Sequence, residues 1–128
     1  GRKTVEIDNP RLNCRLKELT NGKEEGENPI RIVLDTHAKL LKERKFKKFH
    51  IFDNKAKTII ASANKKEKKV NLKKLLKKLY KRGIRSILVE GGEEVIKSFI
   101  KAKLVDEISI YKSLDTAHDY SVVSDLDL

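Results

Sequence analysis

Residues 84–92 read Ile-Arg-Ser-Ile-Leu-Val-Glu-Gly-Gly. The stretch from Ile84 to Glu90 is short, mostly apolar and rich in β-branched residues, which predicts a strand. Gly91-Gly92 then marks a tight turn, and a helix follows from about Glu93 to Lys103 with Val95, Ile96, Phe99 and Ile100 facing inward. Upstream, Leu72, Leu75, Leu76, Leu79 and Tyr80 form one apolar stripe on a lysine-covered cylinder. Asn71 can cap that helix and Gly83 can end it. Thr58–Ala61 and Asp106–Tyr111 complete the pattern as strands. The order strand–helix–strand–helix–strand over 58–111 argues for an α/β domain. Its sheet is mostly parallel and flanked by helices in three layers. Further strands are predicted at Thr4–Ile7, Ile30–Asp35 and Phe49–Phe52. No internal repeat or linker divides residues 1–128, so one domain is expected.

Composition narrows the class. Apolar residues make up 38% of 128, ordinary for a small globular domain and too many for a wholly disordered chain. No apolar run approaches the roughly 18–20 residues of a membrane span, and no signal-peptide pattern is present. The single cysteine, Cys14, makes no internal disulfide and no Cys-built zinc site, so a reducing, cytoplasmic setting is expected. The chain begins at Gly1 and holds no Met, so a piece of a longer chain is expected. The net charge of +11 is uneven: residues 39–82 hold 18 Lys/Arg against 3 acidic residues. A solvated lysine face explains this field most simply. Attraction of phosphorylated small molecules comes next. Nucleic-acid binding comes last, because such modules interleave aromatics and arginines with the basic residues, whereas this segment offers only the aromatics Phe46, Phe49, Phe52 and Tyr80, which read as core residues.

Two local patterns suggest a site. Glu90-Gly91-Gly92 stands between a strand and a helix, where ligands of open α/β sheets bind and the first N–H groups of a helix favour anions. A plain tight turn and a surface carboxylate remain the simpler alternatives. It is neither the G-x-G-x-x-G fingerprint nor a P-loop. Asp8-Asn9-Pro10-Arg11-Leu12-Asn13-Cys14-Arg15 offers a carboxylate in a turn followed by two arginines, a set able to hold a sugar hydroxyl and a phosphate. A turn with surface charges is the simpler reading there. His37, His50 and His118 share no metal-ligand spacing, so no metal site is expected, and His50 reads as structural. Ser98 and Ser113 have no nucleophile-elbow context.

Taken together, four ordered segments resemble the reductase domain of riboflavin biosynthesis. That domain is the C-terminal half of the bifunctional pyrimidine deaminase/reductase and also exists as a stand-alone diaminopyrimidine-phosphate reductase. Residues 1–15 resemble its G-x-x-T-V-x-x-D-[DN]-P-x-L-T-x-R segment, and 28–36 its P-x-R-[IV]-V-[IVL]-D-[ST] strand. Residues 87–92 resemble its I-x-x-E-[GA]-G strand end, and 104–111 its L-V-D-E-x-x-x-Y strand.

The resemblance implies a dihydrofolate-reductase-like fold, incomplete here, and 5-amino-6-(5-phosphoribosylamino)uracil reductase activity with NADPH as cofactor. It implies that Thr4, Asp8, Thr36 and Gly91, Gly92, Glu93, Glu94, Val95, Ile96, Lys97 and Ser98 meet the cofactor. Leu12, Arg15 and Glu90 would meet a phosphorylated ribosylaminopyrimidine, with Arg15 on its 5′-phosphate. No catalytic side chain is assigned. It further implies a homodimer and a covalent zinc deaminase domain upstream. The sequence departs from the family at several points. The family's S-x-D-G-K strand and its helix would precede Gly1. Glu93-Glu94 replace a neutral pair, Asn13 replaces Thr, and the A-P-K-x-x-G-G segment is absent. These departures motivate an alternative: a degenerate, non-catalytic domain serving as a dimerisation or scaffold unit beside a deaminase.

Overall fold

The computed structural model describes residues 1–19, 21–22, 26–42 and 49–111. The tail from 112 onward, with Ser113 and His118, lies outside the described residues, as does Phe46. The elements run α1 (Arg2–Asp8), α2 (Leu16–Leu19), β1 (Arg31–Leu34), α3 (Lys39–Lys42), a 3-10 turn (His50–Phe52), β2 (Thr58–Ala61), α4 (Leu72–Lys81) and α5 (Glu93–Lys101). It is a mixed arrangement of helices and parallel strands.

β1 and β2 pair in parallel, with Arg31 opposite Thr58 and Leu34 opposite Ala61. The bonding extends beyond the strand ends through Arg31 N–H to the Lys57 carbonyl (2.8 Å) and Ala63 N–H to the Thr36 carbonyl (3.1 Å). Burial alternates along β1, as the pleat requires. Val33 joins Val5, Leu40, Phe49 and Ile51 in the core, with Leu12, Phe52 and Ile60 packed against it. Ile32 and Leu34, on the opposite face, line a cavity with Leu75, Leu76 and Leu79 of α4. The small sheet thus has material on both faces. At its end the buried Asp35 turns the chain into α3, its Oδ2 accepting the Leu40 N–H at 2.8 Å.

α4 follows its sequence pattern. The Asn71 side chain accepts the Lys74 N–H at 3.0 Å, which satisfies one orphan donor of the first turn. At the other end Gly83 (φ +85°) adopts the left-handed conformation. Its N–H bonds the Tyr80 carbonyl while the Ile84 N–H reaches the Leu79 carbonyl, a Schellman closure. The lysines of α4 are exposed. Tyr80 departs from the expected stripe: its ring is exposed, with the Arg85 guanidinium 4.5 Å from its centroid. Asn71→Ala should cost about 1 kcal/mol, the usual worth of such a cap. The check is the midpoint of urea unfolding at constant m.

Several expected strands take other forms. Thr4–Ile7 lies within α1, where Val5 is buried and Ile7 points outward. An Arg2–Glu6 pair at 2.6 Å, one helical turn apart, supports the helix. Phe49–Phe52 is not a strand: His50–Phe52 forms the 3-10 turn with Phe49 as its N-cap, closed by Phe52 N–H to the Phe49 carbonyl and Asp53 N–H to the His50 carbonyl. It still buries Phe49 and Ile51, so the hydrophobic pattern was satisfied by different backbone geometry. The helix from Glu93 stops at Lys101, not Lys103. Lys103 (φ +53°) is left-handed, and the Leu104 N–H closes onto the Phe99 carbonyl. Residues 84–90 and 106–111 are not strands. A strand exists only through a ladder with a neighbour, and among the described residues no segment pairs with either. Leu88, Ile110 and Tyr111 are accordingly exposed. The sheet therefore has two strands among the described residues, where six strands were expected.

Candidate active site

The N-terminal ends of α1 and α5 meet at the two glycines. Gly91 (φ +74°) and Gly92 (φ +59°) both occupy backbone that L-residues rarely adopt. A Cβ on Gly91 would lie 3.3 Å from Thr4 Cγ2, and one on Gly92 would lie 3.0 Å from Thr4 Oγ1. The glycines thus let the Thr4 hydroxyl stand at the mouth of α5. The first intrahelical bonds there run from Val95 and Ile96 N–H to the Gly92 carbonyl. The Glu93 and Glu94 N–H groups precede them, at the positive end of the helix dipole.

Beside this junction lies a cavity of about 430 Å³ lined by Gly1, Leu12, Glu90 and Val95 together with the inner faces of β1 and α4. Its walls are mainly apolar, with Glu90 at the rim. Of the sequence-derived site residues, Thr4, Gly91, Gly92 and Val95 come together directly, and Leu12 and Glu90 share the cavity with Val95. Asp8 ends α1 on the surface, Arg15 is exposed, and Thr36 is engaged through its carbonyl beside the sheet; none of the three lines the cavity. On α5, Glu93 pairs with Lys97 at 2.5 Å and Ser98 Oγ donates to the Glu94 carbonyl at 2.6 Å. Ile96, half-buried, sits one turn into the helix away from the cavity lining. His50 serves through its backbone, in line with a structural role. Among the described residues no group of three or more His, Cys, Asp or Glu is placed to hold a metal, and no helix is long and apolar enough to cross a membrane.

Residues 9–14 make an irregular loop beneath the cavity. Asn9 (φ +43°) and Leu12 (φ +46°) are both left-handed, which costs about 1 kcal/mol or more for a residue such as Leu. Arg31 meets this loop from β1. Its side chain is fully buried, an arrangement the sequence signalled only as one charged residue in an apolar strand. Nε donates to the Leu12 carbonyl at 3.3 Å. Nη1 donates to the His50 carbonyl at 2.9 Å and to Asp53 Oδ1 at 2.7 Å. The hydrogen bond from Arg31 holds the Asp53 carboxyl below its usual pKa. Arg31 Nη2 and Asn13 Oδ1 are buried without a hydrogen-bond partner.

The family model for the RibD C-terminal domain matches residues 1–113. The chain belongs to that family. A 2,5-diamino-6-ribosylamino-4(3H)-pyrimidinone 5′-phosphate reductase of Archaeoglobus fulgidus is 34% identical over 131 aligned residues, covering 84% of this chain and 57% of the relative. A reductase of the same description from Aquifex aeolicus is 31% identical, covering 86% of this chain and 53% of the relative. The riboflavin biosynthesis protein RibD of Bacillus amyloliquefaciens is 30% identical, covering 87% of this chain and 32% of the relative. The chain thus spans about half the length of these two reductases, and about a third of this RibD.

Proposed function

We propose that residues 1–128 form one unit of a dihydrofolate-reductase-like, NADPH-dependent reductase that acts on a phosphorylated ribosylaminopyrimidine in riboflavin biosynthesis. The observation that carries this reading is the meeting of Thr4 with Gly91-Gly92 at the head of α5, beside an apolar cavity. The residues present fit a dinucleotide. The Thr4 hydroxyl and the first N–H groups of α5 can donate to a pyrophosphate, and Lys97 offsets the charge of Glu93. Bound NADPH would supply a hydride for C1′ of the ribosylamino group, opening the sugar to a ribitylamino chain. Leu12 would shape the sugar pocket, Glu90 would accept a hydrogen bond from the substrate, and Arg15 would meet its 5′-phosphate. Asp8 and Thr36 would contact the cofactor from the end of α1 and the loop after β1. The reaction needs no protein nucleophile; apolar walls exclude water, and orientation provides most of the acceleration.

The relatives named RibD support an upstream zinc deaminase domain in the parent protein; a homodimer and a cytoplasmic setting complete the reading. The lysine-rich α4 fits a solvated face that raises the local concentration of phosphorylated ligands, without nucleic-acid binding. Paired NADPH and NADH titrations by calorimetry at two salt concentrations test it. Saturable binding with a clear NADPH preference is expected at both. The exposed Glu93 and Glu94 favour a second reading, the non-catalytic dimerisation or scaffold unit. A parent protein that dimerises yet never oxidises NADPH in the presence of substrate establishes that one instead.

A further inference from the structure

The geometry points to Arg31 as the positioning residue of the sugar-phosphate pocket, acting through the loop that carries Leu12 and Arg15. This inference rests on the reductase reading of that loop. Arg31 itself lies on β1, and its buried guanidinium ties the loop of residues 9–14 to the turn at His50–Asp53. It holds the Leu12 carbonyl, the His50 carbonyl and the Asp53 carboxylate at 3.3, 2.9 and 2.7 Å. Two further bonds brace the same loop. The His50 N–H donates to Asn9 Oδ1 at 2.8 Å, and the Cys14 N–H donates to Asn28 Oδ1 at 2.9 Å. Asn28 is itself anchored on the Lys55 carbonyl at 3.1 Å.

The loop needs such bracing. Two of its residues hold left-handed backbone that an unrestrained chain seldom populates. Arg31 fixes one of them, Leu12, by its carbonyl, and Asn9, the other, is tied to the very turn whose His50 carbonyl Arg31 holds. A planar fork with several donors can satisfy acceptors on two segments together; an ammonium on a flexible stem cannot hold the same geometry. Releasing the fork frees Leu12 to leave left-handed backbone, which moves Arg15 three residues on. The Thr4–Gly92 junction is built from other contacts, so the cofactor side should not respond.

The test uses the full 128-residue chain, D-ribose 5-phosphate and NADPH as calorimetric probes, and amide hydrogen exchange. In Arg31→Met, exchange at the Cys14 and His50 amides should accelerate at least tenfold while the Leu75 amide in α4 is unchanged. Ribose 5-phosphate binding should weaken at least tenfold, with NADPH affinity within twofold of the parent. Arg31→Lys should fall between the two. Asp53→Asn, at a more exposed position, removes one partner of the fork and should weaken sugar-phosphate binding about threefold; with Asn9→Ala it carries the test if Arg31→Met does not fold. Exchange within twofold of the parent overturns the clamp. Faster exchange with unchanged ribose 5-phosphate affinity overturns the positioning role, and so does an equal loss of both ligands, the mark of a merely structural residue. A parent chain that binds NADPH but no ribose 5-phosphate overturns the substrate assignment of the loop, while exchange still decides the clamp.

Discussion

Gly92→Asp is expected to remove saturable NADPH binding, with affinity lowered at least a hundredfold. Three effects act in the same direction. Gly92 has φ +59° with ψ +109°, a region outside even the left-handed well, so any side chain there is strained by about 1–3 kcal/mol. The new Cβ would sit 3.0 Å from Thr4 Oγ1 and force that hydroxyl away from the head of α5. A carboxylate would then stand where the proposed pyrophosphate would approach, beside Glu93 and Glu94. Gly92→Ala separates these contributions, since it carries the strain and the contact with Thr4 but no charge. It should weaken NADPH binding by about tenfold, a smaller loss because Thr4 can turn. Calorimetric titration of both variants reads the result, with far-ultraviolet circular dichroism reporting that the helices persist. Undiminished NADPH binding by Gly92→Asp removes the pyrophosphate assignment from this turn.

The largest effect on stability is expected at Ile51. Its side chain has 0% exposure and lies in the cluster with Val5, Val33, Leu40 and Phe49. Ile51→Ala should cost about 2–5 kcal/mol, the transfer of the lost methyl groups plus the cavity they leave. That is a large share of the roughly 5–15 kcal/mol that holds a domain of this size. The backbone around Ile51 offers little collapse to relieve it. Its carbonyl accepts the Thr58 hydroxyl, and the turn is tied to Asn9 and Arg31. The same deletion at Ile7, which is 79% exposed, should change stability by less than about 0.5 kcal/mol. Urea unfolding of the pair measures the contrast.

These two residues show where sequence reading works and where it stops. Ile51 is recognisable as core from its apolar neighbours, whatever backbone it adopts. The strand expected around it is a 3-10 turn, because four residues of alternating hydrophobicity do not distinguish the two when a neighbour must supply the ladder. The same ambiguity turned Thr4–Ile7 from a strand into α1. The helical pattern of α4 proved reliable, while Ile84–Glu90 and Asp106–Tyr111 did not form strands: the stripe from Leu72 to Leu79, with Asn71 and Gly83 at its ends, needs nothing beyond local bonds and one apolar face. Gly91-Gly92 was legible as a turn before a helix. That Thr4 would press against it was not, since the two are separated by some ninety residues. Arg31 appeared in the sequence only as a charge in a strand, with no sign of its three acceptors.

The amino-acid sequence by itself determined the strand character of Ile30–Asp35 and Thr58–Ala61, the capped helix α4, the start of α5 at Glu93, the uneven charge and the resemblance to a reductase family. Each of these is a local or additive property: periodicity, capping chemistry, side-chain charge and ordered motifs. Only the tertiary structure decided that Thr4 stands over Gly91-Gly92, that Leu12, Glu90 and Val95 share one cavity, and that Arg31 grips the loop between them. Those depend on hydrogen bonds and contacts between segments far apart in the chain. Their geometry is set by how the core closes, because a buried guanidinium or a glycine-lined approach is stable only when every partner arrives together.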